Sequence, residues 1–418
     1  MDSKNSNQNE KGTNQFSNFT GKVKSQWSSL SKTKKIIAAA AGVVVIGGIG
    51  FGISQASTGT SVVSAVTGSP LKITVNSADV IVPEDAEKGS TYVAYNITFE
   101  NKSSQKIELN SADVQLVDED GETISNESIY SSTDDFKDMN LIGTSLGKGK
   151  KRTGYLVYKV DPKKSKDYSI EAECTVTGDD SYDRKESEQS LEKVTVTDNR
   201  DKIEKLASDY INKVFLASQS TSISGSESVG FNASDDVQVT TLSNKKKDDE
   251  FQLANNIEAD KALFVKRFKD ELGSEFDYFT PSDSEMEAFV KQYMEANGKR
   301  AQVGVSIEEL YPTSAKVKVE SKSIDLSKID MDDLVDGYLE QATGKDFSDD
   351  DAVMQDAEKY VFASVPSHFG STELATETDE NTISISLKDK KWLVDSSDKE
   401  NNYGYSGLQR SMSGQFFY

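Results

Sequence analysis

Histidine occurs once in the 418 residues, at His368, and cysteine once, at Cys174. A nucleophile activated by an imidazole base would have to use His368, and no Gly-x-Ser-x-Gly elbow accompanies it. Ser-x-x-Lys spacings occur at Ser145–Lys148 and Ser396–Lys399, without the companion motifs of penicillin-binding enzymes. One histidine and one cysteine cannot complete a four-ligand zinc site. The run Asp118-Glu119-Asp120-Gly121 opens like a calcium loop, but the twelfth position counted from Asp118 is Ile129, where such a loop needs a bidentate glutamate. A hairpin turn is the simpler reading. Asp330, Asp332 and Asp333, and again Asp349 to Asp351, fall in the first turns of predicted helices, where negative charge suits the helix dipole. No catalytic, cofactor-binding or metal-binding residue is therefore assigned, and the chain is expected not to be an enzyme.

The elements that would position these residues fall into two regions. From residue 70 to 197 the apolar period is two. In Thr91 to Asn101, Val93, Tyr95, Ile97 and Phe99 share one face, the alternation of a half-buried strand. Similar runs recur at LKITVNS, SADVQLVD, GYLVYKV and YSIEAECTV, separated by turn-forming stretches such as Asp118–Gly121 and Gly147–Lys150. Several short strands of this kind predict an all-β, immunoglobulin-like sandwich. Cys174 alternates with Ile170, Ala172 and Val176 and reads as a small core residue. An acidic linker, GDDSYDRKESEQS, and a short strand, LEKVTVT, close the region.

Residues 198 to 395 read as an α+β domain. Asp198 or Asn199 caps a helix striped by Ile203, Leu206, Tyr210 and Val214, and a long Ser-rich loop with a strand at VQVTTL follows over 218–250. Ile257 to Leu272 is a helix stopped by Gly273. Ser282 with Glu285 forms a capping box for another, ended by Gly298. Two strands joined at Tyr311–Ser314 come next. The order helix, helix, strand, strand then recurs over 330–395, with Ser348 as a helix cap, so a structural duplication is one reading. Residues 396–418 are expected to form a flexible tail with an aromatic end.

Ile36 to Ile53 carries no charge over eighteen residues and, at about 1.5 Å per residue, is just long enough for a transmembrane helix. Residues 1–35 form a disordered basic tail, with seven lysines against Asp2 and Glu10, a net of +5. The positive-inside rule places this tail in the cytoplasm and the rest outside, as a single-pass membrane protein. An uncleaved signal anchor is favoured over a signal peptide cleaved after Ala56, because the apolar run exceeds the usual ~7–15 residues. Residues 54–69 form an uncharged linker. Gly48 and Gly52 make a GxxxG pair that allows a weak dimer. The whole chain carries a net charge of −22, leaving −27 beyond the tail, which argues against nucleic-acid binding. With one cysteine no internal disulfide forms, which suits a Gram-positive surface better than a secreted eukaryotic domain.

The series YVAYNITFENKSSQKIELNSADVQLVDEDGET, then LGKGKKRTGYLVYKV and YSIEAE, resembles the immunoglobulin-like extracellular domain of unknown function found in many Gram-positive lipoproteins and membrane-anchored proteins. It spans roughly residues 70–178, with markers at Asn101-Lys102-Ser103, Asp118–Gly121, and Gly149-Lys150-Lys151 with Gly154. SAKVKVESKSID and ISLKDKKWLVD resemble a companion α+β domain, also of unknown function, that follows it in bacterial lipoproteins. Its ending is shared with cystatin-like and nuclear-transport-factor-like folds, from which the interrupting helices depart. The resemblance implies a fold and an address, with binding of a protein, peptide or cell-envelope polymer as the expected role. Lys148 to Arg152 could contact anionic wall polymers. A carboxylate-dependent hydrolase of wall glycans is the alternative, and it would need two carboxylates roughly 5–10 Å apart in one cleft.

Overall fold

The computed structural model describes residues 69–87, 89–129, 143–177, 182–217, 224–225, 251–397 and 401–415, together with Lys22. The predicted span Ile36–Ile53, with its Gly48–Gly52 pair, the linker up to residue 68 and the strand expected at VQVTTL lie outside the described residues. Among the described residues no helix is long and apolar enough to cross a membrane.

The first region is a β-sandwich. One sheet has β1 (Leu71–Ile81) between β10 (Val196–Thr197) and β2 (Tyr92–Asn101), with β7 (Lys151–Lys159) beyond β2. The other centres on β8 (Ser169–Thr177). On one side β8 pairs with β3 (Lys106–Leu109) and β4 (Val114–Val117), which are flanked by β6 (Thr144–Leu146) and β5 (Thr123–Ser125). On its other side lies β9 (Tyr182–Ser190). The expected alternation holds: Val93, Tyr95, Ile97 and Phe99 are fully buried with Ile170, Ala172 and Cys174 between the sheets. Burial pushes the Cys174 thiol up to about 11, so it is an inert core group.

Strand β9 corrects the sequence reading, which took its residues for an acidic linker. YDRKESEQS has no apolar alternation, yet Ser187 and Gln189 are the inward-facing positions and are buried. Polar side chains hide the period, while pairing along the whole of β8 supplies the backbone hydrogen bonds. Asn101 shows why its marker is fixed. It is buried, and its side chain donates to the carbonyls of Gln105 (2.7 Å) and Leu146 (2.8 Å) while accepting from the Ser103 amide (2.8 Å). It thereby ties the β2–β3 turn to β6.

Among the described residues the second region holds a five-stranded sheet in the order β11 (Ser224–Gly225), β12 (Gln302–Leu310), β13 (Ser314–Lys322), β14 (Asp379–Lys388), β15 (Lys391–Val394). The two expected hairpins sit side by side, with β13 paired directly to β14. Helices α1 (Arg200–Val214), α2 (Ile257–Ser274), α3 (Asp283–Arg300), α4 (Met331–Ala342) and α5 (Asp350–Ser364) bury Val303, Val305, Val317, Val319, Ile383 and Ile385 in one core. Aromatic rings run through it: Phe215 to Phe264 at 4.9 Å, Phe268 to Tyr293 at 5.3 Å, Tyr293 to Phe369 at 5.4 Å, Phe289 to Phe362 at 5.4 Å. Each such pair adds about 0.5–1.5 kcal/mol beyond area burial.

Helix boundaries depart from expectation in small ways. The capping box of Ser282 and Glu285 forms. Helix α2 runs through Gly273 to Ser274, and α3 passes Gly298 to Arg300, because packing in the core outweighs the local cost of a glycine. Asp349 rather than Ser348 caps α5, accepting from the Ala352 amide at 2.8 Å. The expected flexible tail is a correction of larger scale. Residues 403–412 form α6, with Tyr405, Leu408 and Met412 buried in the same core.

Two glycines explain how α6 docks. A Cβ on Gly404 would lie 1.8 Å from the Thr382 carbonyl oxygen, and one on Gly407 would lie 2.1 Å from Asn381 Oδ1. Only glycine lets the helix approach β14 this closely, and the same glycines made the stretch read as loop. We expect Gly404→Ala and Gly407→Ala each to cost about 1–3 kcal/mol through overpacking. Urea denaturation of the full chain measures this, and unchanged midpoints would mean that α6 is not seated as described.

Candidate binding face and its chemistry

The two regions meet at the β12–β13 turn. Val82 and Leu310 exchange both backbone hydrogen bonds at 2.9 Å. Tyr311, at 1 % exposure, enters a small apolar cluster with Ile81, Tyr92, Ala94, Tyr155 and Val157 on the outer face of the first sheet of the sandwich. That face alternates out of phase with the sandwich core, so its apolar side chains need a cover, and the Tyr311–Ser314 turn provides it. Burying such a ring is worth about 4 kcal/mol.

Beside this junction lies a groove of about 500 Å³ across the face of β13, β14 and β15 away from the helices. Its lining is mixed: Ser314, Lys316, Ser384, Ser386 and Lys388 face Asp395 to Ser397, and Ala315, Ile385, Leu393 and Val394 add apolar surface. Strand alternation dictates the polar positions, since Val317, Ile383 and Ile385 point to the helices and the residues between them point outward. Lys316 Nζ donates to the carboxylate of Glu309, which is buried. The loop wall is fixed too: Asp395 accepts from the Ser397 amide at 3.1 Å, and Asn402 donates to the carbonyls of Asp395 (2.9 Å) and Ser397 (3.0 Å).

Behind that wall is a buried polar network. Asp260 accepts from Tyr210 Oη (2.9 Å), Asn255 Nδ2 (2.9 Å) and Ser396 Oγ (3.0 Å), and Tyr210 is within 2.8 Å of Tyr405 Oη. Desolvation raises the Tyr210 and Tyr405 phenols well above their ordinary range, so both stay neutral and serve as links between α1, α2 and α6. Sequence reasoning did not find this network. Its members are 195 residues apart at the extremes and share no local pattern.

The residues singled out for chemistry stay apart. His368 lies in a 3₁₀ turn (Val365–His368), and its side chain makes no hydrogen bond or ion pair among the described residues. Ser145 ends in β6 with Lys148 in the following turn, while Ser396 binds Asp260 and Lys399 lies outside the described residues. Asp118 closes the β4–β5 turn, accepting from the amides of Asp120 (3.0 Å) and Glu122 (2.8 Å), with Gly121 at φ +80°. Asp330 and Asp349 cap α4 and α5. Within the Lys148–Arg152 cluster, Lys151 approaches Glu100 at 3.6 Å. Among the described residues no group of three or more His, Cys, Asp or Glu could hold a metal ion.

Two carboxyls stand out electrostatically. Glu358 is buried yet accepts from the amides of Asp277 (3.2 Å), Tyr278 (2.8 Å) and Phe279 (2.6 Å), which hold a loop onto α5; desolvation still raises its pKa. Glu275, at the end of α2, is pushed up to about 7 by burial and then by Glu271 and Asp277. Neither lines the groove, whose one carboxylate is Asp395. The described residues of the groove therefore offer polar, cationic and apolar contacts with a single carboxylate.

Comparison with known proteins agrees with this architecture. Residues 60–185 match the family model described as a domain of unknown function, DUF4352. That match spans the region of the quoted markers and all but the end of the sandwich. A candidate lipoprotein, ycdA, from Bacillus subtilis superposes with a TM-score of 0.54 at 15 % identity, over 83 % of this chain and 98 % of its own, and so shares the fold of both regions. The yjhA protein of the same species matches at 21 % identity and a TM-score of 0.22, over 26 % of this chain and 78 % of its own. A candidate lipoprotein from Staphylococcus aureus matches at 16 % identity and a TM-score of 0.20, over 32 % and 92 %. None of the curated proteins matches the chain.

Two outcomes follow from the charges. Lys316→Met should destabilise the protein by about 1–3 kcal/mol by leaving Glu309 buried beside an apolar group, discounted because the lysine is partly solvated. Adding Glu309→Gln should recover most of that loss, and a double-mutant cycle that shows no coupling would contradict the pairing. Because the folded-state pKa of Glu275 is raised, its contribution is best at low pH and declines as pH rises from about 4.5 to about 7. Stability of Glu275→Gln should lack that decline, read from urea midpoints at pH 4 and pH 8.

Proposed function

We propose that the chain is a membrane-tethered, extracytoplasmic binding or accessory protein of a Gram-positive cell surface. The observation that carries this reading is the groove beside Tyr311: an open face of serine, lysine and apolar side chains next to a domain junction, with Asp395 as the one carboxylate among its described lining residues. Junctions of this kind are common ligand sites. The uncharged run Ile36–Ile53 and the +5 tail support the anchor and its orientation, and the residues marking the DUF4352 region support a surface address.

One contact weighs against the tether. Lys22 Nζ lies 2.5 Å from Asp332 Oδ1, and a bilayer crossed by Ile36–Ile53 would part them. Exposed pairs of this type contribute at most about 1 kcal/mol, so inserting the apolar run outweighs the loss.

Protease treatment of intact cells should remove residues beyond about 60 while the first 35 stay protected. Recovery of a soluble chain beginning at Ser57 would defeat the anchor. Photo-crosslinking from a probe at Ser384 of the full chain should capture a surface partner reproducibly, with capture lost when the groove is blocked by Ser386→Trp. Hydrolysis of wall material abolished by one Asp or Glu change, with no partner captured, would replace the binding reading with the glycan-hydrolase alternative.

A further inference from the structure

A second groove, of about 480 Å³, runs between α1 and residues 251–257. Its helical wall carries Lys202, Lys205 and Lys213, which share one face of α1 and span about 16 Å at the helical rise. Its floor is apolar, formed by Leu206, Phe251 and Leu253. Lys205 is held by Asp209 at 2.9 Å. Lys202 and Lys213 make no ion pair among the described residues, in a chain with 70 acidic against 48 basic side chains.

A lysine stripe on an exposed helix is ordinarily a solvated face. Here it overhangs a built floor. The Lys202 ammonium lies 4.6 Å above the Phe251 ring, and Phe251 packs on Trp392 at 5.9 Å. The segment is held to the β15 edge by Trp392 N donating to Gln252 O (3.0 Å) and Ala254 N donating to Trp392 O (2.7 Å). Ammonium groups above an apolar floor fit a ligand that is anionic along one side and apolar along the other.

We propose that this groove binds an extended acidic peptide with alternating carboxylate and apolar side chains. In an extended strand, successive side chains point to opposite sides at about 3.3 Å per residue, so about five residues span Lys202 to Lys213. Carboxylates then face the lysines while the intervening side chains cover Leu206, Phe251 and Leu253. The apolar floor favours a peptide over a wall polyphosphate, which has no side chains to place there. The net negative charge of the chain does not forbid this, because at physiological salt it is screened beyond about 8 Å. The inference goes beyond the Ser384 face and names a ligand class for a separate surface.

The test is fluorescence anisotropy with the full chain in neutral phosphatidylcholine nanodiscs and a fluorescein-labelled peptide, Glu-Leu-Glu-Leu-Glu-Leu-Glu. Saturable binding is expected, weakened at least about tenfold by the double change Lys202→Glu with Lys213→Glu, since each exposed pair lost costs a factor of up to about five and reversal adds repulsion. Gln-for-Glu and Ser-for-Leu peptides should each bind less tightly, and Lys291→Glu on α3 should leave binding unchanged. Absence of saturable binding, equal affinity of the charge-reversed protein, or saturable binding of a fluorescein-labelled inorganic polyphosphate with no binding of the peptide would overturn the proposal. Capture of a partner at the Ser384 face that persists after the charge reversal, without peptide binding, overturns this inference while leaving the broader binding reading in place.

Discussion

The seating of Tyr311 in the outer face of the sandwich is the interaction on which the arrangement of this protein depends. A β-sandwich normally buries one face of each sheet, and here Ile81, Tyr92, Ala94, Tyr155 and Val157 leave a second apolar face that must be covered. The β12–β13 turn covers it, and the paired hydrogen bonds between Val82 and Leu310 add directional register to a non-directional contact. Together they join the sandwich to the second region through one side-chain cluster and one backbone pair. The groove over β13 to β15 begins at Ser314 of this turn and ends at the 395–397 loop, which Ser396 ties to the buried Asp260.

Much of the fold was legible in the residues because the apolar period is strong where the core is deep. The strands at 71–81, 92–101, 151–159 and 169–177, the stripe of α1 and the capping box of α3 all follow from local spacing. Strand β9 was not legible, because its inward positions are serine and glutamine. Helix α6 was hidden by Gly404 and Gly407, residues chosen by contact with a strand more than twenty positions earlier. The candidate site was less legible still. Lys316 and Ser384 become neighbours through the β13–β14 register, and the Tyr210–Asp260–Tyr405 links join three helices, so neither leaves a pattern in any short window.

The family markers gain a physical meaning from the structure. Asn101, Gly121 and Gly149 are buried or turn-forming groups that hold strand connections, so they specify the sandwich and carry no information about a ligand. The outward-facing positions of the α+β sheet and the α1 wall carry serines and lysines that take no part in the core. A net charge of −22 makes local clusters of lysine the informative exceptions on this surface.

The central claim, that the Tyr311 joint locks the two regions into one body, is tested most directly by pulsed electron spin resonance. In a Cys174→Ala background, spin labels at Lys106→Cys in the sandwich and Glu340→Cys on α4 should give a single narrow distance distribution, which broadens when Tyr311→Ser is added. A distribution already broad and multi-peaked with Tyr311 in place would contradict the account.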